Sequence, residues 1–281
     1  MKDMLPADSH VHSQWSWDAR SGSMEESCRR AVALGVPGVA FTEHVDLTPW
    51  TIPAEGIATM PAEFRAMIGA DGRFHAPAFD VAGYAEAIDR CRVRYPQLTI
   101  RSGVELGEPH WHRPQVRDLL AGYPFDRIIG SLHSLVDGTA FLVVDRAFDS
   151  QDADQVMRGY LEEARRMVES SDVFEVLGHL DYPLRAWPAQ AGPVLPERFE
   201  EQFRAVLKAL ADTGRTLEIN TRGPAGPMLL TWWRDCGGQS VSFGSDAHDP
   251  AQVASDFAAA AEQAETAGFR PTRGAELWTR G

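Results

Sequence analysis

The chain has 281 residues, 44% of them hydrophobic and 24% charged, which is the balance of an ordinary globular protein and a length that fits one α/β domain over residues 1–281. A net charge of −13 excludes a broad basic face for nucleic acid. No apolar run approaches the roughly 20 residues that cross a bilayer, and Met1-Lys2-Asp3-Met4-Leu5-Pro6 lacks the apolar core of a signal peptide. The expectation is a cytoplasmic protein with no membrane partner.

Short β-branched runs alternate with longer helical patterns, the signature of parallel βα units. The first run ends in Ala7-Asp8-Ser9-His10-Val11-His12. Ser23-Met24-Glu25-Glu26 reads as a capping box opening a helix that stops at Gly35. Val36 to Phe41 is the second strand. A helix near Val81 to Tyr95 leads to a third strand from Leu98 to Val104. Gln115 to Ala121 is a short helix before the strand Asp126 to Ile129. Ala153 to Ser170 is a longer helix before Val173 to Leu177. Pro196 to Thr213, with Gly214 as its stop, precedes Thr216 to Ile219. Met228 to Asp235 precedes Val241 to Phe243, and a helix from Ala251 to Ala267 closes a series of seven strands. Residues 45–79 break the alternation with a long stretch rich in proline and glycine, helical only around Ala62 to Ile68. Loops of that length in compact domains are usually functional lids or disordered, and its position after the second strand places it over the same mouth as the histidines, where a lid is expected.

Each strand end presents a nitrogen or oxygen donor: His10 and His12, then Glu43-His44, Glu105, His133, His179 with Asp181, Asn220, and Asp246-Ala247-His248. An α/β barrel gathers its active site at that rim. Alternate residues of a strand share a face, so His10 and His12 point the same way, and Asp18 returns to the same mouth. Histidine and carboxylate donors suit zinc, iron or manganese. Cys28, Cys91 and Cys236 are scattered and form neither a disulfide framework nor a thiolate site. The donors are too many for one ion. Two or three divalent ions sharing a bridge fit better, and Glu105 stands between His12 and His133 in strand order.

Asp8-x-His10-x-His12 with Asp18, Thr42-Glu43-His44, Gly103-Val104-Glu105, Ile129-Gly130-Ser131-Leu132-His133, Gly178-His179-Leu180-Asp181, Glu218-Ile219-Asn220-Thr221 and Gly244-Ser245-Asp246-Ala247-His248 together resemble the polymerase-and-histidinol-phosphatase (PHP) family. The motifs run in order through nearly the whole chain and look most like the stand-alone histidinol-phosphate phosphatases. The resemblance implies a distorted (β/α)7 barrel with a trinuclear metal centre. His10, His12, Glu105 and Asp246 would hold one ion, Glu105, His133 and His179 a second, and Asp18, His44 and His248 a third. Arg185 and Arg222 would grip substrate phosphate, although the family commonly has a small residue where Arg222 stands.

The implied reaction is hydrolysis of a small phosphomonoester, L-histidinol phosphate, in histidine biosynthesis. A hydroxide shared by the first two ions would attack phosphorus in line. Asp181 would either protonate the leaving alkoxide or orient a ligand, Glu43 faces the same choice, and Asp8 would support the site from below. His75, His110 and His112 read as surface or rim residues. Trp15, Trp17, Trp50, Trp111 and Trp187 follow strands and could close over a ring-bearing substrate or simply pack. Rival readings are an amidohydrolase, which often uses a carboxylated lysine where this chain has only Lys2 and Lys208, a phosphoesterase for another monoester or a nucleotide diester, and a metal-free interaction scaffold.

Overall fold

A computed structural model describes residues 5–272 and 276–281. The first strand, β1 (Asp8–Val11), leads through helix α1 (Met24–Leu34) to β2 (Gly38–Asp46). Ser23 accepts a bond from the Glu26 amide at 3.3 Å, and Gly35 ends the helix at φ 73°, a left-handed conformation glycine adopts without a Cβ clash. The alternation continues through α2 (Val81–Arg94), β3 (Thr99–Gly107), α3 (Arg113–Gly122), β4 (Arg127–Ser131), α4 (Ala153–Ser170) and β5 (Val176–Leu177). It closes with α5 (Glu200–Asp212), β6 (Thr216–Asn220), α6 (Gly226–Asp235), β7 (Ser240–Gly244) and α7 (Phe257–Thr266).

These seven strands lie side by side in chain order and pair in parallel. Two short strands, β8 (Phe269–Pro271) and β9 (Trp278–Arg280), extend the sheet to nine, with β9 antiparallel to β7. The result is a mixed α/β fold around a mostly parallel sheet. The sheet curls: the Asp246 amide donates to the His10 carbonyl and the His12 amide to the Ala247 carbonyl, each at 2.9 Å. The chain just beyond β7 is thereby joined to β1, on the rim that carries the histidines.

Helices cover the sheet with apolar stripes at helical spacing. In α4 the stripe is Val156, Met157, Tyr160, Leu161, Ala164, Met167 and Val168, all buried. Truncating one of the larger of these to alanine would cost about 2–5 kcal/mol.

Several boundaries differ from the sequence reading. β2 runs to Asp46 rather than Phe41, and β3 to Gly107 rather than Val104. His44 and Glu105 are therefore paired neighbours inside strands, not residues following them. Their polarity ends the apolar run without ending the backbone ladder. The closing helix starts at Phe257, because Ala254 and Asp256 take positive φ values of 54° and 60°. Residues 45–79 contain a small antiparallel pair, Trp50–Thr51 with Arg73–Phe74, and helical turns at Ala54–Thr59 and Ala62–Arg65. Among the described residues no helix is long and apolar enough to cross a membrane.

Candidate metal centre and phosphate site

Nine side chains with metal-binding chemistry, drawn from β1, β2 and β3 and from the loops after β1, β4, β5 and β7, converge on the rim. Glu105 stands in the middle and is fully buried. Its Oε2 lies 3.3 Å from His10 Nε2 and 3.4 Å from His12 Nε2, while Oε1 lies 3.3 Å from His133 Nε2 and 2.8 Å from His179 Nε2. One carboxylate thus faces two separate histidine pairs through its two oxygens, the geometry of a bridge, with His44 Nδ1 also 3.1 Å from Oε2. Asp246 joins the first pair, with Oδ1 3.4 Å from His12 Nε2. Asp246 holds φ at 53°, a region that aspartate tolerates better than most residues. A third group forms where Asp18 Oδ2 lies 3.4 Å from His44 Nε2 and 3.2 Å from His248 Nε2, with the two imidazole nitrogens 3.3 Å apart.

These spacings test the fit for metal. A tetrahedral ion with bonds of about 2.0–2.1 Å separates its donors by about 3.3–3.4 Å. The observed donor separations within each group fall around that value. His10, His12 and Glu105 lie within reach of a single ion, as do Glu105, His133 and His179, and so do His12, His44 and His248. Asp46 adds a further grouping with His44 and His133. The buried side-chain atoms without a hydrogen-bond partner include Asp18 Oδ1, His44 Nδ1, Glu105 Oε2 and His179 Nδ1. Carboxylate oxygens and imidazole lone pairs crowded together away from water repel unless a cation or protons lie between them.

The ring orientations are fixed from behind. His10 Nδ1 lies 2.6 Å from Glu218 Oε1, and Glu218 Oε2 accepts from the His179 amide at 2.8 Å and from Asn220 at 3.1 Å. His133 Nδ1 donates to Asp46 Oδ1 at 3.0 Å, and Asp46 Oδ2 accepts from Trp17 Nε1 at 2.9 Å. Ser16 Oγ donates to Glu43 and so accepts from His12 Nδ1 at 3.0 Å and from the His44 amide. His248 Nδ1 donates to the Asp246 carbonyl. The four ring contacts, at His10, His12, His133 and His248, put a proton on Nδ1 and turn Nε2 toward the cluster, the supporting arrangement that metal-binding imidazoles use.

Electrostatics follow the same pattern. Burial opposes charge on His10, His44 and His133, but facing carboxylates overcome it: Glu218 and Glu105 raise His10 well above its ordinary value, and Asp18, Glu105 and Asp46 raise His44 to about 10. Burial resists ionisation of Glu105, Asp18 and Asp246, and the surrounding imidazoles hold all three well below the usual carboxylate range. Without metal, protons occupy part of the cation's place.

A cavity of about 450 Å³ opens beside the cluster, walled by Asp18, His44, His133, His179, Asp246 and His248 on the cluster side. Arg185 and Arg222 line it too. Arg185 Nη1 donates to Asp246 Oδ2 at 2.7 Å and its guanidinium lies 5.1 Å from the Tyr182 ring centre. Its Nε and Nη2 are buried without a partner, so two donors remain for an anion. Arg222 donates to the Asp246 carbonyl at 3.1 Å and is half exposed.

Asp181 does not line the cavity. Its Oδ2 accepts from the Ala225 amide at 2.9 Å, and its carboxylate lies against Gly223, where a Cβ would meet both oxygens at 2.3 Å. That placement engages the side chain with the loop carrying Arg222. Asp8 receives the Ser245 amide and hydroxyl and the Ala254 amide, below the cluster. His75 pairs with Asp71 at the surface. His110, read as a surface or rim residue, has a buried side chain against Glu163 of α4 at 2.8 Å, and Trp111 Nε1 donates to the same carboxylate oxygen. His112 bonds Thr48. Of the tryptophans, Trp17 and Trp50 line the cavity, whereas Trp187 packs on Phe148 and Phe199.

Sequence reasoning assigned no role to Asp46, Ser13, Ser16, Glu108 or Glu218. Glu108 is the tie of the rim: it accepts from the His133 and Ser134 amides at 2.6 and 2.8 Å and from Thr48 at 2.7 Å. Two-residue spacing on a strand face could have flagged Asp46 after His44 and Glu218 before Asn220.

Comparison with known proteins agrees with this geometry. The PHP domain family model matches residues 8–222. A histidinol-phosphatase of Lactococcus lactis is 25% identical over 262 residues, covering 87% of this chain and 85% of that protein. A Deinococcus radiodurans protein named "probable histidinol-phosphatase" is 26% identical over 282 residues, covering 94% of each. The crystal structure of the Lactococcus lactis histidinol phosphate phosphatase, complexed with zinc, L-histidinol and phosphate, superposes with a TM-score of 0.77 at 22% identity and covers 97% of this chain and 98% of its own. With the family model spanning most of its length, the chain belongs to the PHP domain family.

Proposed function

We propose that the chain is a metal-dependent phosphomonoesterase that hydrolyses L-histidinol phosphate to L-histidinol and phosphate, in the cytoplasm. The observation that carries the reading is Glu105, one buried carboxylate facing two histidine pairs, with the two unpartnered donors of Arg185 in the wall of the adjoining cavity. Similarity to histidinol-phosphatases over most of the chain supports the substrate. Seven parallel strands in chain order, joined end to start beside His10 and His12, support a distorted (β/α)7 barrel forming one domain.

His10, His12, Glu105 and Asp246 would hold one ion, Glu105, His133 and His179 a second, and Asp18, His44 and His248 a third. Bound divalent ions would supply Lewis acidity to phosphoryl oxygens and lower the pKa of a water to about 7. The protein's own part is placement and charge. Arg185 offers Nε and Nη2 to phosphate, in the fork geometry that suits oxyanions, and Tyr182 under its guanidinium fixes the plane. Arg222 adds a second, more exposed positive charge. Asp181 holds the loop that carries Arg222. Residues 45–79 act as a lid, supported by Trp50 in the cavity wall against Trp17, with ring centres 5.6 Å apart.

Phosphate release tests the reading. L-Histidinol phosphate should turn over at least tenfold faster, in kcat/KM, than generic sugar phosphates. Equal rates would make histidinol phosphatase the wrong activity.

A further inference from the structure

Four aspartates line the cavity, and three are committed to protein partners. Asp18 faces His44 and His248, Asp46 receives His133 and Trp17, and Asp246 receives Arg185. Asp145 alone has no ion pair or side-chain hydrogen bond among the described residues. The residue is exposed, at the wall of the cavity. It sits in the helical turn Val144–Ala147, whose Val144 amide donates to the His133 carbonyl at 2.9 Å. Val144 and Ala147 are fully buried, so the turn is anchored on both sides of Asp145. Tyr182 lines the same cavity as Asp145, its ring centre 5.6 Å from that of His133 and 4.9 Å from that of His179.

The cavity is therefore polarised. Arg185 and Arg222 supply cationic donors, Asp145 supplies a carboxylate from a different element of the wall, and Val143, Pro183 and Trp50 provide apolar surface. An inorganic phosphate needs only the cationic part. A zwitterionic ester, with a phosphate and a protonated amine a few bonds apart, fits both. We propose that Asp145 is a specificity-determining residue that binds the ammonium group of an amino-alcohol phosphate; this deepens, and rests on, the phosphomonoesterase reading above.

The test compares L-histidinol phosphate with its deamino analogue, 3-(imidazol-4-yl)propyl phosphate, in wild type, Asp145→Asn and Asp145→Glu. Metal content and thermal midpoint are matched first. Asp145→Asn should lower kcat/KM at least tenfold for the amine-bearing ester, mainly through KM, and less than twofold for the analogue. Asp145→Glu should recover part of the loss, because it restores the charge. Equal losses on both substrates, or retention of the wild-type preference in Asp145→Asn, would overturn the assignment of Asp145 alone. A wild type that shows no preference for L-histidinol phosphate over either the analogue or a sugar phosphate would overturn this proposal together with the reading beneath it.

Discussion

Replacing Glu218 by glutamine keeps the shape of the side chain and removes the charge that orients two metal-facing groups at once. In the wild type, one oxygen lies 2.6 Å from His10 Nδ1 and the other receives the His179 amide and Asn220. The Glu218 carboxyl is lowered below its ordinary value because His10 outweighs its burial, so it is an acceptor on both oxygens. A glutamine has one oxygen for these three donors. If that oxygen serves the His179 amide, the NH₂ faces His10, and the ring must accept at Nδ1 and carry its proton on Nε2, toward the metals. Loss of such a supporting carboxylate costs about 10–100-fold in metal affinity, or about 1.4–2.7 kcal/mol. Competition with a chromophoric chelator should show a loss in that range, with kcat recovering partly in excess metal. The thermal midpoint of chelator-treated protein separates this effect from unfolding. Affinity within threefold of wild type would refute the orienting role of Glu218.

Arg185→Lys should lower kcat/KM for L-histidinol phosphate by about 10²-fold, since a point charge cannot reproduce the fork of a buried guanidinium. Arg222→Ala should cost less, because that side chain is half exposed; steady-state kinetics of the pair would contradict the assignment if the order reversed. Glu108→Ala leaves the His133 and Ser134 amides without an acceptor. It should lower stability by about 1–3 kcal/mol, read by denaturant unfolding, and an unchanged midpoint would argue against its tying role. Because the metal-free His44 is raised from 6.5 to about 10, its contribution to stability is fully present below pH 6.5 and is lost as pH rises through about 10. Chelator-treated protein should therefore melt progressively earlier across that window, and His44→Gln should flatten the trend. The same protons must leave when metal binds. Calorimetry in buffers of different ionisation enthalpy should detect their release, and buffer-independent heats would contradict the raised imidazoles.

Much of the centre was legible because its donors interrupt β-branched runs at regular intervals. His10, His12, His44, Glu105, His133, His179 and Asp246 are conspicuous as polar residues where apolar ones are expected. The supporting residues were not. Glu218 meets His10 across 208 positions of chain, and its spacing from Asn220 on the strand face is the one local hint of it. Asp46 was hidden by the assumption that polar Glu43 and His44 ended their strand, whereas pairing with β3 carries β2 to Asp46. The pair β8 and β9 lacks any periodic apolar signal: each has three residues, and Pro271 stands in one of them. In residues 45–79, proline and glycine read as loop, yet Trp50, Phe64 and Phe74 pack around Trp17 and order the segment. Tertiary aromatic packing decided that region, and local propensity could not show it.

The most direct test of the central claim is the number of divalent ions held by each chain. Elemental analysis of protein loaded with zinc, iron or manganese and then freed of loose metal should find two to three ions per chain, falling in Glu105→Gln along with phosphate release. Fewer than two ions in the wild type, or a full complement and normal turnover in Glu105→Gln, would contradict a multinuclear centre bridged by Glu105.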